Sequence, residues 1–301
     1  MAVAYIFSGQ GAQAVGMGKS LSENSAAARN IFDQANEVLG WDLKSACFAG
    51  PAETLTETRV CQPALYVHGI AMVEALREAG KLPEIGGAAG LSLGELTALH
   101  VVGVFDFATG LKIVEKRGQL MQEACETTEG GMASLIGGDL QAAYDLAQKH
   151  DVDVANLNCP GQTVLSGDKS RIADVVAEAK SAGFKMAIPL KVAGAYHSRL
   201  MQPAAVAFAE FLTDIEFKTP THPVFTNTTG REVSEPSAVK QALVEQVVSS
   251  VRWEDCFRGL LALGFSTSYE CGPGGVLAGL AKRIDRDAKV VSLSEYSDLP
   301  A

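Results

Sequence analysis

The chain has 301 residues, of which 47% are hydrophobic and 20% are charged, and its formal net charge is −10. This composition is that of a globular protein with an ample core, and it excludes a disordered chain. With 35 acidic residues against 25 basic ones, nucleic acid is not expected as the main partner, because phosphate binding needs a basic face.

The six cysteines are scattered along the chain without a C-x-x-C pair. This spacing predicts reduced, mostly buried thiols of a cytosolic compartment. No Cys or His pair has the spacing of zinc ligands, so no metal is expected. The first basic residue is Lys19, and no run of about 18 apolar residues occurs. We therefore expect neither a secretory signal nor a membrane span.

The N-terminal segment 3–7 is a short apolar strand that runs directly into Ser8-Gly9-Gln10-Gly11-Ala12-Gln13. Only glycines allow a turn this sharp, and the main-chain amides of such a loop are free to receive a negative oxygen. An ordinary strand-to-helix connection is the alternative. Apolar residues then recur at helical spacing in 24–39 and 62–79, and Pro63 predicts that the second helix starts near Cys61.

The segment 85–99 contains the pattern Gly-x-Ser-x-Gly, with Ser92 at its centre. Small apolar residues precede it as at the end of a buried strand, and good helix formers follow it. A serine on such a strand-to-helix turn projects its hydroxyl into the open at a helix N-terminus. A glycine-rich turn without catalytic function is the alternative. A further helix is predicted over 107–125, and it carries Arg117 among apolar neighbours.

From about residue 131 the pattern becomes strand, helix, strand, strand, helix, strand. The predicted elements are 132–136, 140–149, 152–158, 162–166, 170–182 and 184–190. This order is the split βαβ of a ferredoxin-like unit of about 60 residues, inserted between larger flanking parts. The flanks continue with predicted helices at 201–212, 236–250 and 253–263, strands at 224–227 and 267–270, and a last helix through Leu280. Alternating strands and helices indicate an α/β sheet.

A serine hydroxyl needs a base before it can act as a nucleophile, and histidine is the usual base at neutral pH. His197 lies among small residues in a loop, where an imidazole can face a cleft. Of the other histidines, His68 is expected to pack in the core, His100 to point away, and His150 and His222 to be solvated. No carboxylate that would orient the base is identifiable. More than a hundred residues follow His197, which is unlike a simple esterase.

Eight motifs, in order along the chain, resemble those of the malonyl-CoA:acyl carrier protein transacylases of fatty-acid synthesis. They are Gly9-Gln10-Gly11-Ala12-Gln13, Gln62-Pro63-Ala64, Gly90-Leu91-Ser92-Leu93-Gly94-Glu95, Arg117-Gly118-Gln119-Leu120-Met121, Gly131-Met132-Ala133, Asn158-Cys159-Pro160-Gly161-Gln162, Gly194-Ala195-Tyr196-His197-Ser198 and Gly272-Pro273-Gly274. The resemblance covers nearly the whole chain. It implies a hydrolase-like α/β core, residues 1–127 and 194–301, with a ferredoxin-like subdomain at 128–193.

The resemblance also implies catalytic roles. Ser92 would attack a thioester carbonyl with His197 as general base, and the main-chain N–H groups of Gln10 and Leu93 would hold the oxyanion. In this family a main-chain carbonyl orients the histidine, and the matching position is Gln246. An exposed helix glutamine is the alternative there.

For the acyl group, the resemblance implies contacts from Arg117, Met121, Asn158 and Tyr196. A planar guanidinium can bind the free carboxylate of malonyl in a bidentate manner, which would disfavour acetyl. The bulky ring of Tyr196 favours malonyl over methylmalonyl, although one methyl group is worth only about 1–3 kcal/mol. Leu91 departs from the family, which usually has histidine there. This leaves the fine substrate choice and rate open, but not the reaction class.

The implied partners are malonyl-CoA, which is a substrate and not a cofactor, and acyl carrier protein. An acidic carrier needs a local positive docking surface on this acidic chain, for which the candidates are Lys185, Lys191, Arg199, Lys282 and Arg283. We expect a cytoplasmic (or plastid-stromal) monomer without nucleic-acid or membrane partners. The alternatives are a stand-alone acyltransferase of a polyketide or polyunsaturated-lipid synthase, a thioesterase, and a catalytically silent binding module.

Overall fold

A computed structural model of the chain describes residues 2–300. Within this range the strands are β1 Val3–Phe7, β2 Ile85–Gly90, β3 Gly130–Ile136, β4 Asp153–Cys159, β5 Gln162–Asp168, β6 Met186–Pro189, β7 Val224–Thr226, β8 Arg231–Glu232, β9 Thr267–Cys271 and β10 Lys289–Leu293. The α-helices are α1 Lys19–Asn24, α2 Ala26–Leu39, α3 Leu43–Ala49, α4 Ala52–Thr56, α5 Thr58–Glu78, α6 Leu93–Val101, α7 Phe107–Glu126, α8 Leu140–Lys149, α9 Lys169–Glu178, α10 Gln202–Leu212, α11 Pro236–Gln246, α12 Trp253–Ala262 and α13 Val276–Ile284.

The larger sheet has six strands in the order β10-β9-β1-β2-β7-β8. All neighbouring pairs are parallel except β7 with the short edge strand β8. Every residue of β1 is buried, as expected for a central strand covered by helices on both faces. The carboxyl ends of β1, β2 and β9 therefore meet at one edge of the sheet, where α/β proteins bind their ligands. Each of these ends carries one of the glycine-rich segments of the sequence.

The smaller sheet has four strands in the order β4-β5-β3-β6, all of them antiparallel. With α8 and α9 it reproduces the βαββαβ order that the sequence predicts, and the ferredoxin-like subdomain is confirmed. It is attached to the core through main-chain hydrogen bonds, Leu157 N to Val251 O at 2.9 Å and Val251 N to Ala155 O at 2.8 Å. The exact subdomain bounds, 127/128 and 193/194, stay a prediction.

Helix α5 begins at Thr58, five residues before Pro63, so the predicted start near Cys61 is wrong. A proline inside a helix removes one main-chain hydrogen bond. Here the first turn packs its buried residues, among them Val60 and Cys61, against the core, which offsets that loss. None of the helices within residues 2–300 has the length and hydropathy needed to span a bilayer.

Other element boundaries also differ from the sequence prediction. The helix predicted at 236–250 ends at Gln246, and the last helix continues past Leu280 to Ile284. Short elements such as α3, α4 and β10 were not predicted, because each is only five to seven residues long and carries little periodicity.

Candidate active site

Ser92 occupies a sharp turn between β2 and α6. Its backbone has φ 55° and ψ −108°, which is rare for a residue other than glycine. The flanking glycines are required by space: a Cβ on Gly90 would lie 1.8 Å from the main-chain carbon of Gly94, and one on Gly94 would lie 2.1 Å from the carbonyl oxygen of Phe7. The turn therefore holds the Ser92 hydroxyl at the carboxyl edge of the sheet.

His197 contacts this hydroxyl directly. Its Nε2 lies 2.8 Å from Ser92 Oγ, and its Nδ1 lies 2.8 Å from the carbonyl oxygen of Gln246. Since a carbonyl only accepts, Nδ1 carries the proton and Nε2 is free to accept one from Ser92. The pKa of His197 is lowered to about 4, first by burial and then by the nearby Arg117 guanidinium. The ring is therefore a neutral base at pH 7.

The Gln246 carbonyl is available because α11 ends at this residue. The last carbonyls of a helix have no partner four residues further on. Had the helix continued to residue 250, as the sequence predicts, Ser250 would have occupied this oxygen. Gln246 is also completely buried, so the alternative of an exposed helix glutamine is wrong.

Arg117, on α7, is 1% exposed, and its guanidinium reaches the same site. Its Nη2 donates to Ser92 Oγ at 3.2 Å and to Gln246 Oε1 at 2.8 Å, and its Nη1 donates to Gln62 Oε1 at 2.6 Å. Within residues 2–300, its buried Nε has no hydrogen-bond partner. The side chain is thus a positive charge held by neutral groups, and its Nε–H is left without an acceptor among the described residues.

Two main-chain N–H groups beside Ser92 are unused. Among the described residues, no acceptor meets the N–H of Gln10 in the first glycine loop or that of Leu93 at the start of α6. Leu93 is the first residue of its helix, where N–H groups have no partner within the helix. Both residues border the cavity that contains Ser92. An oxyanion formed at Ser92 could accept from both.

Asn227 directly follows β7 and is not among the site residues predicted from the sequence. Its Oδ1 accepts from Ser92 N at 2.7 Å, and its Nδ2 donates to Gly90 O at 2.8 Å. The side chain therefore ties both ends of the strained turn. Asn227 could have been recognised in the sequence as a polar residue directly after an apolar strand, because parallel strands bring their carboxyl ends together at the site.

A cavity of about 210 Å³ lies over Ser92. Residues of both the core and the ferredoxin-like subdomain line it. Four of them were expected at the acyl group or near it: Leu91, Met121, Asn158 and Tyr196. Asn158 Oδ1 has no hydrogen-bond partner within residues 2–300 and is free to meet a donor. The Tyr196 hydroxyl bonds to Thr58 Oγ1, which fixes its ring. Leu91 packs against the apolar cluster that includes Leu280.

The remaining histidines lie away from this cavity. His68 is completely buried and contacts the Ser294 carbonyl, and His100 contacts the Phe105 carbonyl. His150 was expected in solvent, but its side chain is 15% exposed and lies 3.0 Å from Glu178 Oε2. His222 is partly exposed and pairs with Thr221. In the part of the chain that the structure describes, no cluster of His, Cys, Asp and Glu could hold a metal ion.

Comparisons with known proteins agree with this geometry. Residues 4–292 match the family described as acyl transferase domain. The malonyl CoA-acyl carrier protein transacylase of Bacillus subtilis (strain 168) is 41% identical over 298 residues, which cover 97% of this chain and 93% of that protein.

Solved structures are similar over the same extent. An acyl carrier protein S-malonyltransferase from Vibrio cholerae O1 biovar eltor has a TM-score of 0.94 at 39% identity, with 98% of each chain covered. A malonyl-transacylase in complex with its type II PKS acyl-carrier protein has a TM-score of 0.93 at 37% identity, covering 99% of this chain and 98% of that one. The resemblance inferred from the motifs is confirmed: the chain belongs to the acyl transferase family, in the group of malonyl CoA-acyl carrier protein transacylases.

Proposed function

We propose that the chain transfers a malonyl group from malonyl-CoA to the phosphopantetheine thiol of acyl carrier protein through a malonyl-Ser92 intermediate. The observation that carries this proposal is that Ser92 Oγ contacts both His197 Nε2 and Arg117 Nη2, at 2.8 and 3.2 Å. The nucleophilic oxygen is thus in contact with both its base and a cation that can bind a carboxylate.

In the first half-reaction Ser92 Oγ attacks the thioester carbonyl while His197 Nε2 takes the hydroxyl proton. The tetrahedral oxyanion accepts hydrogen bonds from Gln10 N–H and Leu93 N–H. When the intermediate collapses, the carbon–sulfur bond breaks, and the departing coenzyme A sulfur takes the proton from His197. Gln246 holds the imidazole in the required tautomer through its carbonyl.

In the second half-reaction the same residues act, and the proton now moves from the incoming thiol through His197 to Ser92. His197 takes the proton of the phosphopantetheine thiol, and the sulfur attacks the malonyl ester on Ser92. The ester bond then breaks, and Ser92 Oγ recovers the proton from the imidazolium. Coenzyme A leaves as a product, so in this proposal it is a substrate component and not a cofactor.

Arg117 provides the selectivity for malonyl. Its Nε has no partner in the described chain, and Nη2 already points at Ser92, so the guanidinium can donate to a carboxylate at the far end of a three-carbon acyl group. Acetyl has no carboxylate and would gain nothing from this guanidinium. Met121 and the fixed ring of Tyr196 border the cavity that would hold the acyl chain, and Asn158 Oδ1, which has no partner in the described chain, is available to accept from an N–H of the substrate.

A carrier protein of polyketide synthesis is the second candidate acceptor. The complex of a similar malonyl-transacylase with a type II PKS acyl-carrier protein favours it. The chemistry at Ser92 is the same for both carriers. All the groups proposed to act on the substrate come from one chain, so neither acceptor requires a second copy. We therefore propose a monomer.

The test is to incubate the protein with malonyl-CoA, acetyl-CoA or methylmalonyl-CoA and to record intact masses. We expect a malonyl adduct, much less methylmalonyl and almost no acetyl. Addition of holo-acyl carrier protein should then remove the adduct and appear as malonyl-carrier. Release of free malonate at the same rate with and without carrier would instead indicate a hydrolase.

For carrier docking, we propose the rim of the cavity. Leu190 and Val192 line the cavity and flank the exposed Lys191, while Val276 and Leu280 line it on α13, two residues before the exposed Lys282. Neither lysine forms an ion pair in the described chain, and neither does Lys185. Arg199 is paired with Asp151 and Asp153, and Arg283 donates to Gln162 Oε1 and two carbonyls. These two arginines are therefore less available.

The double variant Lys191→Glu/Lys282→Glu is expected to raise the KM for holo-acyl carrier protein about tenfold at low salt, because rim charges steer an acidic partner. Loading of Ser92 from malonyl-N-acetylcysteamine, which has no carrier protein attached, should not change. Lys289→Glu, at the amino end of β10 on the opposite edge of the sheet, serves as the matched control. An unchanged KM in the double variant would remove this rim from the docking surface.

A further inference from the structure

Glu95 is a buried carboxylate in the first turn of α6, three residues after Ser92. It is 0% exposed. Its Oε2 accepts from Asn227 N at 2.9 Å and from Gln246 Nε2 at 2.7 Å, whereas its Oε1 has no hydrogen-bond partner within residues 2–300. The mechanism above does not use this group, yet burying an ionisable side chain is costly unless it is compensated.

The contact with Gln246 determines which way its side-chain amide lies. Gln246 Nε2 donates to Glu95 Oε2, and Gln246 Oε1 accepts from Arg117 Nη2 at 2.8 Å. Rotating the amide by half a turn would place its oxygen against a carboxylate and its NH₂ against a guanidinium. Both contacts would then be repulsive, because a carboxylate only accepts and a guanidinium only donates. Glu95 and Arg117 together therefore allow one orientation.

The same pair also balances charge across the amide. Among the described residues Arg117 forms no direct ion pair, and Glu95 is the carboxylate that interacts electrostatically with it. Before malonyl binds, Glu95 is thus the counter-charge of Arg117, and the Gln246 amide lies between the two. A malonyl carboxylate that binds to Arg117 brings a second negative charge to the same cation.

We propose that Glu95 is a positioning residue for malonyl transfer, which fixes the Gln246 amide and acts as the counter-ion of Arg117 until the malonyl carboxylate replaces it. This inference rests on the proposed function of Arg117. When malonyl arrives, Glu95 takes up a proton, because two carboxylates compete for one buried guanidinium. The proton goes to Oε1, which leaves Oε2 free to keep both of its hydrogen bonds.

The surroundings of Glu95 place this proton uptake near neutral pH. Burial raises the pKa of Glu95 to about 7, while the hydrogen bonds from Asn227 and Gln246 and the charge of Arg117 lower it. Of the other ionisable groups nearby, the Cys256 thiol has a pKa raised by burial and stays protonated, and His197, with a pKa of about 4, stays neutral. An ionised Glu95 opposes malonyl binding, so malonyl should bind less tightly as the pH rises through about 7.

The test measures single-turnover acylation of Ser92 by malonyl-N-acetylcysteamine between about pH 6 and 8.5, with intact mass as the readout. This probe has no phosphate, and its only ionisable group below pH 8.5 is the malonyl carboxylate. For the wild type we expect the half-saturating concentration to rise about tenfold across this range. Glu95→Gln keeps an acceptor for Asn227 and Gln246 but carries no charge. It should remove the pH dependence of the half-saturating concentration and keep the maximum acylation rate within about threefold.

Two further variants separate positioning from folding. Glu95→Ala removes the acceptor and should lower the maximum acylation rate at least about tenfold, because the Gln246 amide is no longer fixed. Glu270→Gln changes another completely buried glutamate, which binds the first N–H groups of α13, and should keep the wild-type pH dependence. A wild-type pH dependence in Glu95→Gln, or a rate as low as that of Glu95→Ala, would overturn the inference. Failure of the proposed function is distinct, since the wild type would then form no malonyl adduct.

Discussion

Replacing Ser92 by alanine is expected to abolish the malonyl adduct and to lower kcat for malonyl transfer by at least about 10⁴-fold. The hydroxyl is the only group at the turn that can form the ester, and loss of the nucleophile leaves only the oxyanion donors and binding. The fold should persist, because alanine has the same Cβ as serine at the φ of 55° and its N–H still donates to Asn227 Oδ1. Intact mass after incubation with malonyl-CoA gives the adduct directly.

Ser181→Ala is a matched control for this variant. Ser181 is exposed after α9, and its hydroxyl donates only to the Glu178 carbonyl. It should load malonyl at the wild-type rate. A malonyl adduct of wild-type extent on the Ser92→Ala protein would mean that another residue is the acyl carrier, and the mechanism would have to be abandoned.

Replacing Arg117 by alanine is expected to lower kcat/KM for malonyl-CoA by about 10²- to 10³-fold while acetyl-CoA loses much less. The reason is that the malonyl carboxylate would enter a buried site without its cation, and leaving one member of a buried charge pair alone costs about 2–5 kcal/mol. Acetyl makes no such contact. Arg117→Lys should recover only part of the malonyl activity, since an ammonium cannot form the two parallel hydrogen bonds of a guanidinium.

The measurement is the ratio of kcat/KM for the two thioesters, because a general loss of structure would lower both. Lys112→Ala, at an exposed position on the same helix α7, should leave the ratio at its wild-type value. Equal losses for malonyl-CoA and acetyl-CoA in Arg117→Ala would show that Arg117 supports the site without selecting the acyl group.

Local physical rules made the turn at Ser92 and the inserted βαββαβ unit predictable. The glycines at 90 and 94 can be recognised in the sequence because only residues without a side chain fit so close to the β1 and α6 backbones. The four strands of the smaller sheet lie close to one another along the chain and are bounded by clear turns. Such features depend on neighbours in sequence, so the motif and the order of elements suffice.

The end of α11 could not be predicted from the sequence. Residues 236–250 have helical periodicity, yet the helix ends at Gln246, where its carbonyl accepts from His197 and its amide lies between Glu95 and Arg117. These partners are 49 to 151 residues away in sequence. Periodicity describes which face of a helix is buried, and it carries no information about such distant hydrogen bonds.

The sequence by itself therefore determined the α/β alternation, the inserted subdomain and the family, and it predicted Ser92 as the nucleophile. The resemblance implied Gln246, but only the tertiary structure decided that Asn227 and Glu95 join it in supporting the site. The physical reason is that these three side chains meet only when α6, β7 and α11 converge at one edge of the sheet. There, burial forces each polar atom to find a partner, and the partner is chosen by spatial proximity and not by position along the chain.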